Sequence, residues 1–330
     1  MALINVILTG GVGSRLWPLS RKSRPKQYIP LFNGATLFRL CAERNKDICD
    51  GLIVVGNVDN YRLSKSNLEQ SGIDHYMEVI EAMPRNTAAA IAFAAFSLKA
   101  DDIMLVTPSD HIISGNEAYQ RAVTEAARLA HQGNLVTFGI RPAHPETGYG
   151  YIEHDGEQVI AFTEKPSLQA AMQYITSGKH LWNSGIFCFK AGVFMEELMK
   201  FEPGIYHASL KVWEERKGTR LDEDLSALIP SKSVDYAVME RSDKIKVVPA
   251  DFTWSDLGSY DALWSYMEQS GLATGNNFSL GTQKHVEFIG VENIVYVETE
   301  DAVLILDRSC SQDVKKVYEQ LEKELPQLLS

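Results

Sequence analysis

Three glycines, Gly10, Gly11 and Gly13, follow a short apolar segment, and behind them stand Arg15, Arg21, Lys22, Arg24 and Lys26. Glycines at such a turn leave backbone N–H groups open to an oxyanion, because no Cβ stands in the way. An arginine forks onto phosphate oxygens, and Lys26, after the stiffening Pro25, returns a compact charge to the same place. The spacing differs from two familiar phosphate loops. A Walker A loop needs G-x-x-x-x-G-K-[ST], and the dinucleotide fingerprint needs Gly where Leu16 stands. For the glycines alone a plain tight turn is the alternative, and for Arg21, Lys22 and Arg24 a solvated face. No Asp or Glu occurs before Glu43, in a chain whose formal net charge is −11. The positive charge is therefore concentrated at one loop, as a small polyanion would require. The overall acidity, with pI about 5.3, argues against a nucleic-acid partner, which calls for a broad basic face.

This loop needs a rigid frame. The runs "LINVIL" (3–8), "LIVVG" (52–56), "DIMLVTPSD" (102–110) and "LVTFGI" (135–140) alternate with helical patterns such as "TAAAIAFAAFSLKA" and "AYQRAVTEAARLAHQ". Continuously apolar strands separated by crossover helices imply a mostly parallel sheet buried on both faces, an α/β, Rossmann-like fold. Ligands of such sheets lie outside the carboxyl ends of the strands, so the loops after "NVIL" and "MLVT" carry the information. From about 148 to 190 the texture predicts an antiparallel extension that serves as lid or floor for a second ligand group. The polar stretch 270–283 has linker composition. After it, "VEFIGVENIVYVETEDAVLILD" predicts three short strands. Val314, Val317, Leu321, Leu325 and Leu328 then predict an amphipathic helix. The expected organisation is a main domain over 1–268 and a small β-plus-helix appendage over 269–330.

No apolar run reaches the roughly 20 residues of a membrane span, and the amino terminus lacks the leading positive charge of a secretory signal, so a cytoplasmic protein with no membrane partner is expected. Cys41, Cys49, Cys188 and Cys310 form no C-x-x-C pair, which fits a reducing compartment. The histidines show no ligand spacing.

"GGVGSRLWPLSRKSRPKQ" (10–27) resembles the signature of the sugar-phosphate nucleotidyltransferases, and Trp17, Ser20 and "PKQ" resemble the branch that uses mannose 1-phosphate and GTP. The resemblance implies the nucleotide-diphospho-sugar transferase fold. It implies GTP and mannose 1-phosphate as substrates, GDP-mannose and diphosphate as products, Mg2+ as cofactor and a homodimer. Leu8, Gly10, Gly11 and Gly13 would then bind the nucleotide, with Arg15 and Lys26 on its phosphates. "PRNTAAAI" (84–91) resembles the base-binding segment, with Asn86 and Thr87 at a helix start, although Thr87 could equally be a helix N-cap. "TPSDH" (107–111) and "TWSDLGSYDALW" (253–264) would supply Asp110 and Asp256 for the metal. Two Asp without a His or Cys cluster suit a hard cation that also takes phosphate oxygens and waters. A turn former is the other reading of Asp110, and His111 beside it is read as structural.

"ETGYGYIE" (146–153) resembles the loop that closes on the sugar, with Gly148 allowing close approach. "FTEKP" (162–166) brings Glu164 for sugar hydroxyls and Lys165 for the sugar phosphate, and "LWNSGIFCF" (181–189) brings Asn183. As a bare tripeptide Glu-Lys-Pro is a surface turn. "VDYAVME" (234–240) also matches, with no chemistry assigned and packing as its default. The residues after Gly271 are fewer than many relatives carry, so no second, isomerase activity is expected, and a dimer contact through a full β-helical appendage has no support. Rival readings are another hexose-1-phosphate nucleotidyltransferase, a non-catalytic nucleotide-sugar-binding regulator, and a glycosyltransferase, whose usual Asp-x-Asp motif "TPSDH" does not provide.

Overall fold

The computed structural model describes residues 1–32, 34–269, 271 and 275–330. A nine-stranded sheet lies at its centre. In chain order its strands are β1 (Leu3–Leu8), β2 (Gly51–Asn57), β3 (Met77–Glu81), β4 (Ile103–Pro108), β5 (Leu135–Ile140), β6 (Tyr151–Asp155), β7 (Gln158–Thr163), β8 (His180–Lys190) and β9 (Ile245–Ala250). They are arranged β3-β2-β1-β4-β8-β5-β9-β7-β6. β1 pairs in parallel with β2 and β4, β2 with β3, and β5 with β9. β8 runs antiparallel to both β4 and β5, so β1 to β5 and β9 all point one way. Their carboxyl ends, and the loops 9–28, 82–86, 109–111, 141–150 and 251–258, therefore lie along one edge of the sheet. This is the expected mostly parallel α/β architecture.

The strands read as unbroken apolar runs because both faces are covered. Met104, Leu105 and Val106 of β4 are fully buried, and so are Val136 and Phe138 of β5. On one face the helix Asn86–Phe96 is buried from Ala88 to Ala95, its alanines allowing a close approach to the sheet. On the other, the helix Asn116–His131 buries Tyr119, Val123, Ala126 and Leu129. Each large aliphatic side chain fully removed from water contributes about 1.5–3 kcal/mol.

Three expectations are corrected. The strand within "LWNSGIFCFK" is β8: its first residues, His180–Trp182, do pair antiparallel with β6 of the hairpin β6–β7, but its later part lies in the middle of the sheet between β4 and β5. The segment 286–307 holds two strands, Ile294–Glu298 and Val303–Asp307. Their third partner is Phe278–Leu280, from the stretch read as a linker; residues 270 and 272–274 of that stretch lie outside the described residues. The last helix is Val314–Glu324, ending before Pro326, and it buries Val314 and Tyr318, while Val317 and Leu325 are exposed. A three-to-four spacing fits more than one stripe of a helix, and here a Tyr completes the buried one.

Candidate active site

The glycine loop is folded back on itself by the residues that follow it. Gly11 and Gly13 have φ of 91° and 76°, the left-handed region that a side chain rarely enters. A Cβ on Gly13 would stand 2.5 Å from the Cβ of Lys26. The Lys26 amide donates to the Val12 carbonyl at 3.0 Å, the Ser20 hydroxyl to the Gly13 carbonyl at 2.6 Å, and the Gln27 side-chain amide to the Thr9 carbonyl at 2.9 Å. Leu8 ends β1, and its carbonyl accepts from the Ser109 amide at 3.1 Å, which ties the loop to the end of β4.

Across that junction Lys26 meets the acids. Its side chain is only 4% exposed, and its Nζ lies 2.7 Å from Asp110 Oδ2 and 2.6 Å from the Asp256 carbonyl oxygen. Burial alone would raise the Asp110 carboxyl, but the Lys26 ammonium beside it holds it below its usual value. His111 is 3.7 Å from Asp110, and its Nδ1 accepts from the Trp254 indole at 3.2 Å. Burial lowers its pKa, so it sits neutral as a structural neighbour of the acid. Asp256 begins a tight turn, its Oδ1 accepting from the Gly258 amide at 2.9 Å and from the Tyr149 hydroxyl at 2.6 Å. Burial, and then the Asp256 charge, raise the Tyr149 pKa, which keeps that hydroxyl a donor.

A second group stands one residue from Tyr149. A Cβ on Gly150 would meet Glu164 Oε2 at 2.6 Å and Asn183 Cβ at 3.4 Å, so the close approach in this loop is at Gly150, while Gly148 lies exposed with its amide on Glu146. Lys165, with φ of 47°, turns its ammonium onto Glu164 at 2.9 Å. The Asn183 side-chain Oδ1 accepts from Thr137 Oγ1 at 3.0 Å and from the Gly185 amide at 3.2 Å, and its Nδ2 donates to Asp235 Oδ1 at 2.9 Å. Asp235 opens a π-helical turn, Asp235–Met239, a local geometry frequent at functional sites. Burial, with Glu164 adding to it, pushes its carboxyl up to about 6.

Asn86 (φ 70°) and Thr87 do begin a helix, but Thr87 is not its cap: its Oγ1 accepts from the Val234 amide at 2.8 Å. "VDYAVME" thus ties the 84–91 segment to the cluster of Glu164, Lys165 and Asn183, a role beyond packing. Nearby, burial pushes the Glu81 carboxyl up to about 8 and leaves one of its oxygens without a partner.

The structure therefore brings Gly13, Lys26, Asp110 and Asp256 into one contiguous group, and Glu164, Lys165 and Asn183 into a second, joined through Tyr149–Gly150. Arg15 stands apart from Lys26, its Nη1 donating to Gln312 Oε1 of the carboxyl-terminal segment at 2.7 Å. Of the three cations expected on a solvated face, Lys22 and Arg24 are exposed, whereas Arg21 is buried. Arg21 binds Asp301 at 2.6 Å, Thr299 and the Leu328 carbonyl, and Lys22 binds Glu322 at 2.7 Å. A cavity of about 860 Å3 is lined by Tyr149, Trp254, Ser255, Arg308 and Gln312. Tyr149 connects it to Asp256 through their shared hydrogen bond. Sequence reasoning did not single out Tyr149, Asp235, Glu81 or Gln312. Asp235 carried a signal, an acid in a matched motif with no partner assigned.

The acids suit a hard cation. An ammonium already bridges the Asp110 carboxylate and the Asp256 main chain, so a positive charge is at home between them. Among the described residues no group of three or more His, Cys, Asp and Glu gathers for a metal. No helix among them is long and apolar enough to cross a membrane.

Comparison with known proteins places this geometry. The pattern of the Nucleotidyl transferase family matches residues 4–271, and that of the MannoseP isomerase/GMP-like beta-helix domain matches residues 269–321. The chain is 42% identical to the Xanthan biosynthesis protein XanB of Xanthomonas campestris, over 97% of this chain and 73% of that protein. It is 40% identical to the mannose-1-phosphate guanylyltransferase of Escherichia coli, with the same coverage. A crystal structure from Thermus thermophilus, described as a mannose-1-phosphate geranyltransferase, superposes with a TM-score of 0.83 at 29% identity, covering 98% of this chain and all of that one. With a glycine loop, a buried Lys and two Asp at the carboxyl ends of a parallel sheet, the chain belongs to the nucleotidyl transferase family.

Proposed function

We propose that the chain is a mannose-1-phosphate guanylyltransferase, which joins GTP and mannose 1-phosphate into GDP-mannose and diphosphate. The observation that carries this reading is Lys26, set between the glycine loop and the two acids Asp110 and Asp256. The glycine-loop amides and Arg15 face the triphosphate. Asn86 and Thr87 flank the base at the start of their helix. Glu164 and the remaining N–H of Asn183 take sugar hydroxyls, and Lys165 neutralises the sugar phosphate. Asp110 and Asp256 would hold Mg2+, which supplies neutralising charge to the phosphates.

An oxygen of the sugar phosphate attacks the α-phosphorus, a new P–O bond forms, and the bond to the β-phosphate oxygen breaks with its electron pair leaving on diphosphate. The attacking oxygen is already anionic near neutral pH, so no general base is needed. Positioning and charge neutralisation carry the reaction. Lys26 is the cation that Asp110 and the triphosphate share. We also propose the division into a catalytic unit, 1–268, and an appendage, 269–330.

The test is to incubate the purified protein with each pairing of GTP, UTP, dTTP or ATP with mannose or glucose 1-phosphate, with and without magnesium, and to measure diphosphate release. Release is expected with GTP and mannose 1-phosphate, and only with magnesium. Preference for another pair would identify a different hexose-1-phosphate nucleotidyltransferase. No release from any pair would leave a binding protein.

A further inference from the structure

We infer that Gln312, in the carboxyl-terminal appendage, is a positioning residue for Arg15, so that the appendage forms one wall of the nucleotide site. The inference rests on the reading of Arg15 as a phosphate-binding group.

Gln312 sits on a turn, Arg308–Asp313, that is held at several points. Asp307 caps it through the Ser309 amide at 2.8 Å. The Arg308 guanidinium donates twice to Asp261 Oδ1, at 3.0 and 2.8 Å, and lies over the Trp264 ring. Ser311 is buried on one side of Gln312 and Val314 two residues beyond it, which directs Gln312 outward into the 860 Å3 cavity that Tyr149 and Ser255 share. Its side-chain oxygen takes one N–H of Arg15 at 2.7 Å.

Arg15 follows two left-handed glycines, and its long side chain needs a partner to keep one orientation. The chemical type of that partner decides what Arg15 can still do. A guanidinium has five donors and a permanent charge, and a neutral amide occupies one donor without cancelling the charge. A carboxylate in the same place would bind more strongly and would compete with the phosphates for the same charge. Gln312 therefore holds the arginine and leaves it able to bind an anion.

The experiment compares Gln312→Ala and Gln312→Glu with the wild-type protein. GTP affinity is measured by titration calorimetry in magnesium buffer, KM is measured for each substrate, and melting temperature is recorded. Loss of one charge-assisted hydrogen bond between partly exposed groups predicts a GTP affinity roughly fivefold weaker for Gln312→Ala. Gln312→Glu is expected to be weaker still, with kcat, the KM for mannose 1-phosphate and the melting temperature close to wild type in both. The inference is overturned if either variant binds GTP as tightly as wild type or tighter, or if both substrates' KM values move together. The reading beneath it fails separately: wild-type protein would then bind no GTP, or Arg15→Ala would bind it normally.

Discussion

At the scale of single residues, the centre of the site is one ammonium held by the Asp110 carboxylate and the Asp256 main-chain carbonyl. Lys26, itself only 4% exposed, neutralises Asp110, which is 28% exposed, so deleting Asp110 leaves a buried ammonium without its carboxylate. Asp110→Ala and Asp256→Ala are each expected to lower kcat by about 10²- to 10³-fold. Manganese binding followed by electron paramagnetic resonance should weaken in parallel, with far-UV circular dichroism unchanged; near-normal turnover and metal binding in both variants would remove the metal assignment. Lys165→Ala should raise the KM for the sugar phosphate and leave that for GTP in place. Asp235 makes a pH prediction. Its carboxyl is raised from 3.8 to about 6, so ionisation in the folded state works against burial and stability is lost as pH rises through that window. Asp235→Asn can still accept the Asn183 hydrogen bond but cannot ionise. Its melting temperature should match wild type near pH 4 and exceed it above pH 6.5, by an amount corresponding to on the order of 3 kcal/mol. A difference that is constant with pH would mean that Asp235 does not titrate there.

At the scale of elements, the loop after β1 shows how backbone conformation places chemistry. Gly13 combines a φ of 76° with a Cβ position only 2.5 Å from Lys26, so Gly13→Ala must move the lysine that the acids need. The left-handed conformation costs an alanine about 1–2 kcal/mol before any overlap is counted. The variant should therefore lose both thermal stability and GTP affinity. Gly10 has no positive φ and nothing within 4 Å of its Cβ, so Gly10→Ala should lose GTP affinity without loss of stability, a contrast that separates backbone strain from access of the anion. Equal melting temperatures for the two variants would contradict the strain argument. Much of this element was legible in the sequence, because glycines clustered after a buried strand mark a turn whose backbone enters conformations that other residues rarely adopt. β4 and β5 were legible for a similar reason, since burial on both faces forces an unbroken apolar run. The place of β8 was not, because a strand's own pattern records that it is buried but not which neighbours flank it. Asp235 escaped for a related reason: its partner Asn183 is 52 residues away, and no local pattern announces the pair.

At the scale of the whole molecule, the two parts of the chain share a core. Leu16, Trp17, Leu257, Tyr260 and Trp264 from the larger part pack with Phe278, Val295, Val297, Tyr318 and Leu329 from the appendage. The Trp17 indole donates to the Leu328 carbonyl at 3.0 Å, and the Lys22 amide to the Leu329 carbonyl at 2.7 Å. The basic cluster that opened the sequence thus divides its work. Lys26 turns to Asp110 and the Asp256 main chain, and Arg15, Arg21 and Lys22 to the appendage. Composition revealed that charge was concentrated there but not the division, since Arg21 and Asp301 lie 280 residues apart. A shared core of this kind predicts one cooperative unfolding transition rather than two, with calorimetric and van't Hoff enthalpies equal. Trp264 stacks on Phe278 at 4.8 Å and is 1% exposed, so it belongs to both parts at once. Trp264→Ala should cost about 3–5 kcal/mol and shift the whole transition downward. An appendage that stood alone would instead melt first in differential scanning calorimetry, leaving the transition of the larger part, and its GTP binding, unchanged. A split of that kind would also detach Gln312 from Arg15, so the same calorimetric trace tests whether the nucleotide site needs both ends of the chain.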